Sequence, residues 1–132
     1  MPERSRGGGQ SLVSVLVVDD QATYRAAMRE LVEATPGLEL VGEAESGEAA
    51  VALAVERSPQ LVLMDKRMPG MGGLAACRAI TDRAPDTIVI LCSVEDPDPV
   101  TAEAHGAEAM LRKQDLSRER LREILSAHGS RN

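Results

Sequence analysis

Five side chains in this 132-residue sequence have types and spacing that could do chemistry together: Asp19, Asp20, Asp65, Ser93 and Lys113. Each follows a short apolar run, residues 12–18 before the acidic pair, 61–64 before Asp65, 87–92 before Ser93, and 109–111 shortly before Lys113. Two unit negative charges about 4 Å apart repel by roughly 4 kcal/mol at an effective dielectric near 20, so three carboxylates sharing a pocket need compensation. A divalent cation and the Lys113 ammonium supply it. The donor set is all oxygen, with no His or Cys nearby, which selects a hard ion. A half-open site that keeps its waters suits Mg²⁺ better than Ca²⁺. Mg²⁺ beside a carboxylate, an ammonium and a hydroxyl is equipment for handling a phosphoryl group, with Asp65 as the oxygen nucleophile. Taken singly, an acidic pair after a strand is often a loop residue and a lone lysine is usually solvated. Their joint placement carries the reading.

That placement depends on the elements behind it. Residues 61–64, Leu-Val-Leu-Met, are too few for a helix and read as a strand buried on both faces and closed by Asp65. Pro69, Gly70, Gly72 and Gly73 then make a loop that lets backbone come close to whatever Asp65 holds. Residues 12–18 form a second buried strand. Over 22–35, Tyr24, Met28, Leu31 and Val32 fall at helical spacing until Pro36-Gly37 stops them. Residues 38–44 alternate apolar with Glu39 and Glu43, as an edge strand does. Ser46 caps a helix that begins near Gly47, has Glu48 in its first turn and ends before Pro59.

Leu74, Cys77 and Ile80 mark a third helix over 74–83, and 87–92 is another central strand. Pro97 and Pro99 delay a short fourth helix until about Val100, closed by His105-Gly106. Residues 109–111 are the last strand, and Ser117 opens a helix with Leu121, Ile124, Leu125 and His128 on one face. His105 and His128 stand at helix carboxyl ends, a placement that needs no catalysis to explain it. Five strands alternating with five helices demand a parallel sheet, helices on both faces and right-handed crossovers. The fold class is α/β, doubly wound. The most apolar strands belong at the centre and the second and fifth at the edges, giving the order 2-1-3-4-5, with the switch point between the strands ending in Asp20 and Asp65.

Composition narrows the function classes. The length and 43% hydrophobic content fit one domain, residues 12–128, between a flexible tail over 1–11 and a short tail over 129–132. Tyr24 is the one aromatic residue, so a base-stacking surface for single-stranded nucleic acid is excluded. A net charge of −6 and pI near 4.9 disfavour nucleic acid and anionic membranes and favour proteins and cations. Cys77 and Cys92 fit no metal spacing and read as reduced core residues of a cytoplasmic protein. No apolar run reaches membrane-spanning length.

In combination, Val-Val-Asp-Asp at 17–20, Leu-Met-Asp-Lys-Arg-Met-Pro-Gly at 63–70, Leu-Cys-Ser at 91–93 and Leu-Arg-Lys at 111–113 resemble the receiver domains of two-component response regulators. The resemblance covers residues 12–128 and implies a flavodoxin-like fold. It implies that Asp65 accepts a phosphoryl group from a histidine kinase, a phosphotransfer protein or a small phosphodonor. By the same resemblance, Asp20 and Asp65 bind Mg²⁺ directly, Asp19 binds it through water, and the Arg67 carbonyl completes the set. Lys113 and Ser93 would each hold a phosphoryl oxygen. Such a protein is a phosphoacceptor that assists its own phosphorylation and dephosphorylation, not a dedicated enzyme. It signals to a downstream protein through the face of the fourth helix, fifth strand and fifth helix. Inverting a 1:99 population takes about 5.5 kcal/mol, so Ser93 alone does not suffice, and metal and Lys113 contacts must differ between states as well.

The sequence departs from the family pattern in several places. Met110 stands where such domains usually carry Tyr or Phe, so the switch of Ser93 and residue 110 cannot be read out by an aromatic rotation. Val94 replaces a small residue and is expected to narrow access to the phosphorus. Gln114 replaces a frequent proline, a variant that resembles receivers fused to DNA-binding outputs. Only one helix follows Lys113, so the expectation is a stand-alone regulator that does not bind DNA itself. Arg67 and Glu95 can pair across the pocket mouth. Two alternatives stand beside this reading. One is an interaction module whose binding ignores phosphorylation. The other is a Mg²⁺-dependent phosphohydrolase, which is opposed by Lys66 and Arg67 occupying the positions where a second acid is needed.

Overall fold

Strands that are apolar on both faces cannot stand at a surface, and the chain stacks them side by side between two layers of helices. The computed structural model describes residues 12–130, so the expected 1–11 tail lies outside the described residues. In order these are β1 (Val13–Val18), α1 (Ala22–Ala34), β2 (Leu38–Ala44), α2 (Gly47–Arg57), β3 (Leu61–Asp65), α3 (Gly72–Arg83), β4 (Ile88–Ser93), α4 (Pro99–Ala104), β5 (Ala109–Arg112) and α5 (Arg118–Ser130). The five strands form one parallel sheet in the order β2-β1-β3-β4-β5. Every residue of β3 and β4 is buried, whereas β2 at the edge has a single buried residue, Ala44.

Side chains alternate across the sheet and so build two cores. Leu16, Val18, Val62, Met64, Val89 and Leu91 pack against Ala50, Ala76, Cys77, Ile80 and Ala102 from α2, α3 and α4. On the other face Val15, Val17, Leu61, Leu63, Ile90 and Cys92 meet Met28 and Val32 of α1 and Leu121 and Ile124 of α5. Both cysteines are free and buried, and burial pushes each thiol up to about 12, which keeps them protonated and unreactive.

Local chemistry sets the boundaries. Ser46 caps α2 by accepting from the Ala49 amide at 3.1 Å. Thr35 ends α1 by turning its hydroxyl back onto the Leu31 carbonyl at 2.7 Å. Between Val15 and Leu16 the register with β2 skips Val41, and the Arg57 guanidinium of α2 donates to the Val41 carbonyl.

Several expected boundaries are corrected. β1 begins at Val13, one residue late, and β4 runs over 88–93 in place of 87–92, so Ser93 is its last residue. α4 starts at Pro99, one residue early, because proline fits the first turn, and Asp98 caps it through the Thr101 amide at 3.2 Å. At six residues it is as short as the prolines suggest. α3 begins at Gly72, two residues before the expected start. α5 continues to Ser130, into the expected 129–132 tail, and a single 3-10 turn over Lys113–Asp115 precedes it.

Candidate functional site

The carboxyl ends of the three central strands deliver the chemistry to one rim. β1 runs straight into Asp19, which is fully buried, and Asp20, which is partly open to solvent. β3 ends at Asp65, 6% exposed, directly opposite Cys92, so Ser93, 2% exposed, lies one step further along β4. Ser93 in turn pairs with Arg112 of β5, which places Lys113 next along the rim. Carboxylate oxygens of Asp19, Asp20 and Asp65 all lie within 4.8 Å of one another. Their oxygen-only chemistry fits a hard divalent cation, and the partly open Asp20 leaves room for water ligands.

Lys113 provides the cation this chain itself places there. Its Nζ donates to Asp19 Oδ2 at 2.8 Å and lies 3.5 Å from Asp65 Oδ1. Burial opposes its charge, but the bond to Asp19 and the charge of Asp65 outweigh that, and its pKa is raised. Burial raises the Asp65 pKa, with repulsion from Asp19 adding to it. Lys113 and the Arg67 amide N–H pull the other way without cancelling it. Asp19 is held on two further sides, its Oδ1 accepting from the Gln21 amide at 2.9 Å and its carbonyl from Arg25 at 2.9 Å. The loop behind Asp65 is pinned twice. Met71 donates its amide to Glu48 of α2 at 3.3 Å, and the Gly73 amide reaches the Lys66 carbonyl at 2.8 Å. A Cβ at Gly73 would overlap the Asp65 carbonyl oxygen and stand 2.8 Å from Lys66 Cα, so only glycine lets α3 start this close.

Comparison with known proteins decides what this rim belongs to. Residues 15–126 match the response regulator receiver domain. Response regulator GacA of Pseudomonas protegens is 41% identical over 104 residues, which cover 77% of this chain and 49% of that protein. Response regulator UvrY of Escherichia coli is 39% identical over 98 residues, 74% of this chain and 45% of that one. The chain belongs to the response regulator receiver family. It spans about half the length of the curated relatives it matches. Among solved structures, the signal receiver domain of NarL from Mycobacterium tuberculosis superposes with a TM-score of 0.79 at 31% identity, covering 90% of this chain and 98% of that one. The response regulator domain of Thermotoga maritima CheB gives 0.79 at 30% identity, covering 89% and 97%.

Within this receiver Asp19, Asp20, Asp65, Ser93 and Lys113 meet at the rim, Arg67 and Val94 stand at its mouth, and Met110 lies in the core behind it. Arg67 and Glu95 pair as expected, Nε to Oε1 at 3.0 Å, and Lys66 Nζ joins them at 3.8 Å. With Arg67 68% and Glu95 49% exposed, the pair stabilises by only about 0–1 kcal/mol. Val94 is 66% exposed and lines, with Ser93 and Lys113, a cavity of about 490 Å³ between α1 and β5. Met110 is 6% exposed and sits in the α2–α3–α4 core. Its sulfur accepts the Asp98 amide N–H at 3.3 Å, which joins β5 to the capping residue of α4. His105 and His128 stay clear of the rim: one ring faces the Thr101 carbonyl at 2.9 Å and the other the Glu108 carboxylate at 3.3 Å.

Sequence reasoning missed the supporting partners. Gln21, Arg25 and Asp98 carried no chemical signal of their own, and Glu48, correctly read as the first-turn acid of α2, gave no sign that it would hold the loop behind Asp65. Tyr24, read as a core position of α1, proves to be 37% exposed, its ring against Lys113 Nζ at 3.6 Å from the centroid. Among the described residues no helix is long and apolar enough to cross a membrane.

Proposed function

We propose that residues 12–128 form a cytoplasmic, Mg²⁺-dependent phosphoacceptor that takes a phosphoryl group onto Asp65 and signals by binding another protein. The donor is a histidine kinase, a phosphotransfer protein or a small phosphodonor. The observation that supports this most is the buried Asp65 carboxylate held 3.5 Å from Lys113 and within 4.8 Å of two further acids. An Asp65 oxygen attacks phosphorus. The O–P bond forms while phosphorus separates from the donor's imidazole nitrogen or acetate oxygen, which leaves with the electron pair. Mg²⁺, held by Asp20 and Asp65, by Asp19 through water and by the Arg67 carbonyl, would neutralise charge on the carboxylates and the phosphoryl oxygens.

Lys113 turns from Asp19 toward a phosphoryl oxygen. Ser93 Oγ accepts from the Glu95 amide at 3.0 Å, which leaves its own proton to donate to another phosphoryl oxygen. Drawing Ser93 inward moves residues 94–98, and Met110 conveys that movement to α4 through the Asp98 amide. The protein is itself a reactant, modified once per transfer. Met110 also gives ground for a second reading, an interaction module indifferent to phosphorylation, because a thioether already fixed in the core has less to rearrange than an exposed aromatic ring.

Incubation with Mg²⁺ and acetyl phosphate tests the proposal. Wild type gains the mass of one phosphoryl group, whereas Asp65→Asn and a sample with EDTA do not. No gain in wild type, or an equal gain in Asp65→Asn, overturns it. If wild type labels, equal capture of the downstream protein by labelled and unlabelled forms assigns the second reading.

A further inference from the structure

The chain has one aromatic residue, and it is not in the core. Tyr24 projects from the first turn of α1 back over the rim, and its ring face lies 3.6 Å from Lys113 Nζ. Packing alone does not account for that position. Ala27, Met28 and Leu31 already line the same cavity wall, and Tyr24 as a residue remains 37% exposed beside them. The ring does account for the state of the ammonium. Lys113, with a side chain only 9% exposed, has three directions to satisfy. Asp19 takes one at 2.8 Å, Asp65 faces a second at 3.5 Å, and the π face covers the cavity side.

We propose that Tyr24 is a positioning residue for phosphoryl transfer: its ring seats the Lys113 ammonium beside Asp65 and keeps cavity water from it. This rests on the phosphoacceptor reading above. The physical advantage lies in what a π face does not do. A third carboxylate or carbonyl on the cavity side would be a directional acceptor that competes with the incoming phosphoryl oxygens. The ring attracts a cation through its quadrupole without fixing any one N–H direction. As the new O–P bond forms on Asp65 and the donor's bond to phosphorus breaks, Lys113 can pivot from Asp19 to a phosphoryl oxygen while the ring contact persists. A contact kept in both states does not choose between them. It narrows the ammonium's range of positions and so acts on the transfer rate.

The test compares wild type, Tyr24→Phe, Tyr24→Leu and Tyr24→Met in saturating Mg²⁺ with acetyl phosphate as donor. Tyr24→Phe labels at the wild-type rate, since the ring and not the hydroxyl does the seating. Tyr24→Leu and Tyr24→Met label more slowly, by up to about fivefold, because the freed ammonium spreads over positions the ring had excluded and the lost cation–π contact bounds that effect. In a Lys113→Ala background, Tyr24→Leu has no further effect. Proton NMR gives a readout independent of turnover: the Lys113 ε-methylene signals are ring-shifted in wild type and Tyr24→Phe and return to their ordinary position in Tyr24→Leu. If wild type labels and both Tyr24→Leu and Tyr24→Met keep its rate, or if Tyr24→Leu slows Lys113→Ala equally, the positioning role is overturned and the phosphoacceptor reading stands. If wild type takes no label while the ring shift is present, the phosphoacceptor reading falls and the role falls with it.

Discussion

Replacing Asp65 by asparagine is expected to stabilise the metal-free protein at neutral pH, and the sizes of the opposing effects say why. At 3.5 Å the attraction between Asp65 and Lys113 is about 5 kcal/mol at an effective dielectric near 20. Repulsion from Asp19, with oxygens within 4.8 Å, is about 3.5 kcal/mol or more on the same scale. These two offset much of each other, the partly exposed Asp20 in the same cluster adds repulsion, and burial points the same way. Burial is also the largest influence on the Asp65 carboxyl, whose pKa lies above its ordinary 3.8. A carboxyl with a folded-state pKa above the unfolded one binds its proton more tightly when folded. The contribution of this group to stability is therefore fully present below 3.8 and is lost as pH rises through the raised value. Asparagine keeps the shape and removes the charge, so a gain of about 1–2 kcal/mol is expected, or roughly 3–8 °C in Tm for a domain of this size. Thermal unfolding in EDTA at pH 7 and again near pH 4 measures it, with the gap between variant and wild type shrinking at the lower pH. An Asp65→Asn variant less stable than wild type at pH 7, with the deficit growing as pH rises, would refute the reasoning.

Three further outcomes follow from particular contacts. Gly73→Ala drives a methyl group into the Asp65 carbonyl and Lys66 backbone and is expected to cost about 3 kcal/mol or more, read by urea unfolding. Val94→Ala leaves Tm within about 1 °C because the side chain is 66% exposed, yet it speeds both labelling by a bulky phosphodonor and loss of label to water; unchanged rates dispose of the idea that Val94 restricts access. Asp98→Ala removes the cap of α4 and is expected to lower Tm slightly, with faster amide exchange confined to residues 99–104.

The sheet order was legible because burial was written into strand composition. Residues 61–65 and 88–93 are apolar through their whole length except for the acid or serine that closes them, whereas 38–44 alternates, and centre and edge follow from that difference. The five rim residues were legible for the same reason, since a polar side chain directly after a buried strand has nowhere else to go. Helix starts were less legible. Two glycines at 72–73 argue for loop by propensity, and the close approach to Asp65 that overrides this is a tertiary fact. The partners of the rim were hidden by distance along the chain. Lys113 and Asp19 are 94 positions apart, and nothing local to Tyr24 or Asp98 announces that one will cover an ammonium and the other will bond a methionine sulfur.

The central claim is that one carboxylate, Asp65, becomes an acyl phosphate. The most direct test is to treat wild type with Mg²⁺ and acetyl phosphate, reduce any acyl phosphate with borohydride, which converts the modified aspartate to homoserine, and map the peptides. The account predicts homoserine at position 65 and at no other acid. Reduction products at Asp19 or Asp20, or none after full exposure to the donor, would contradict it.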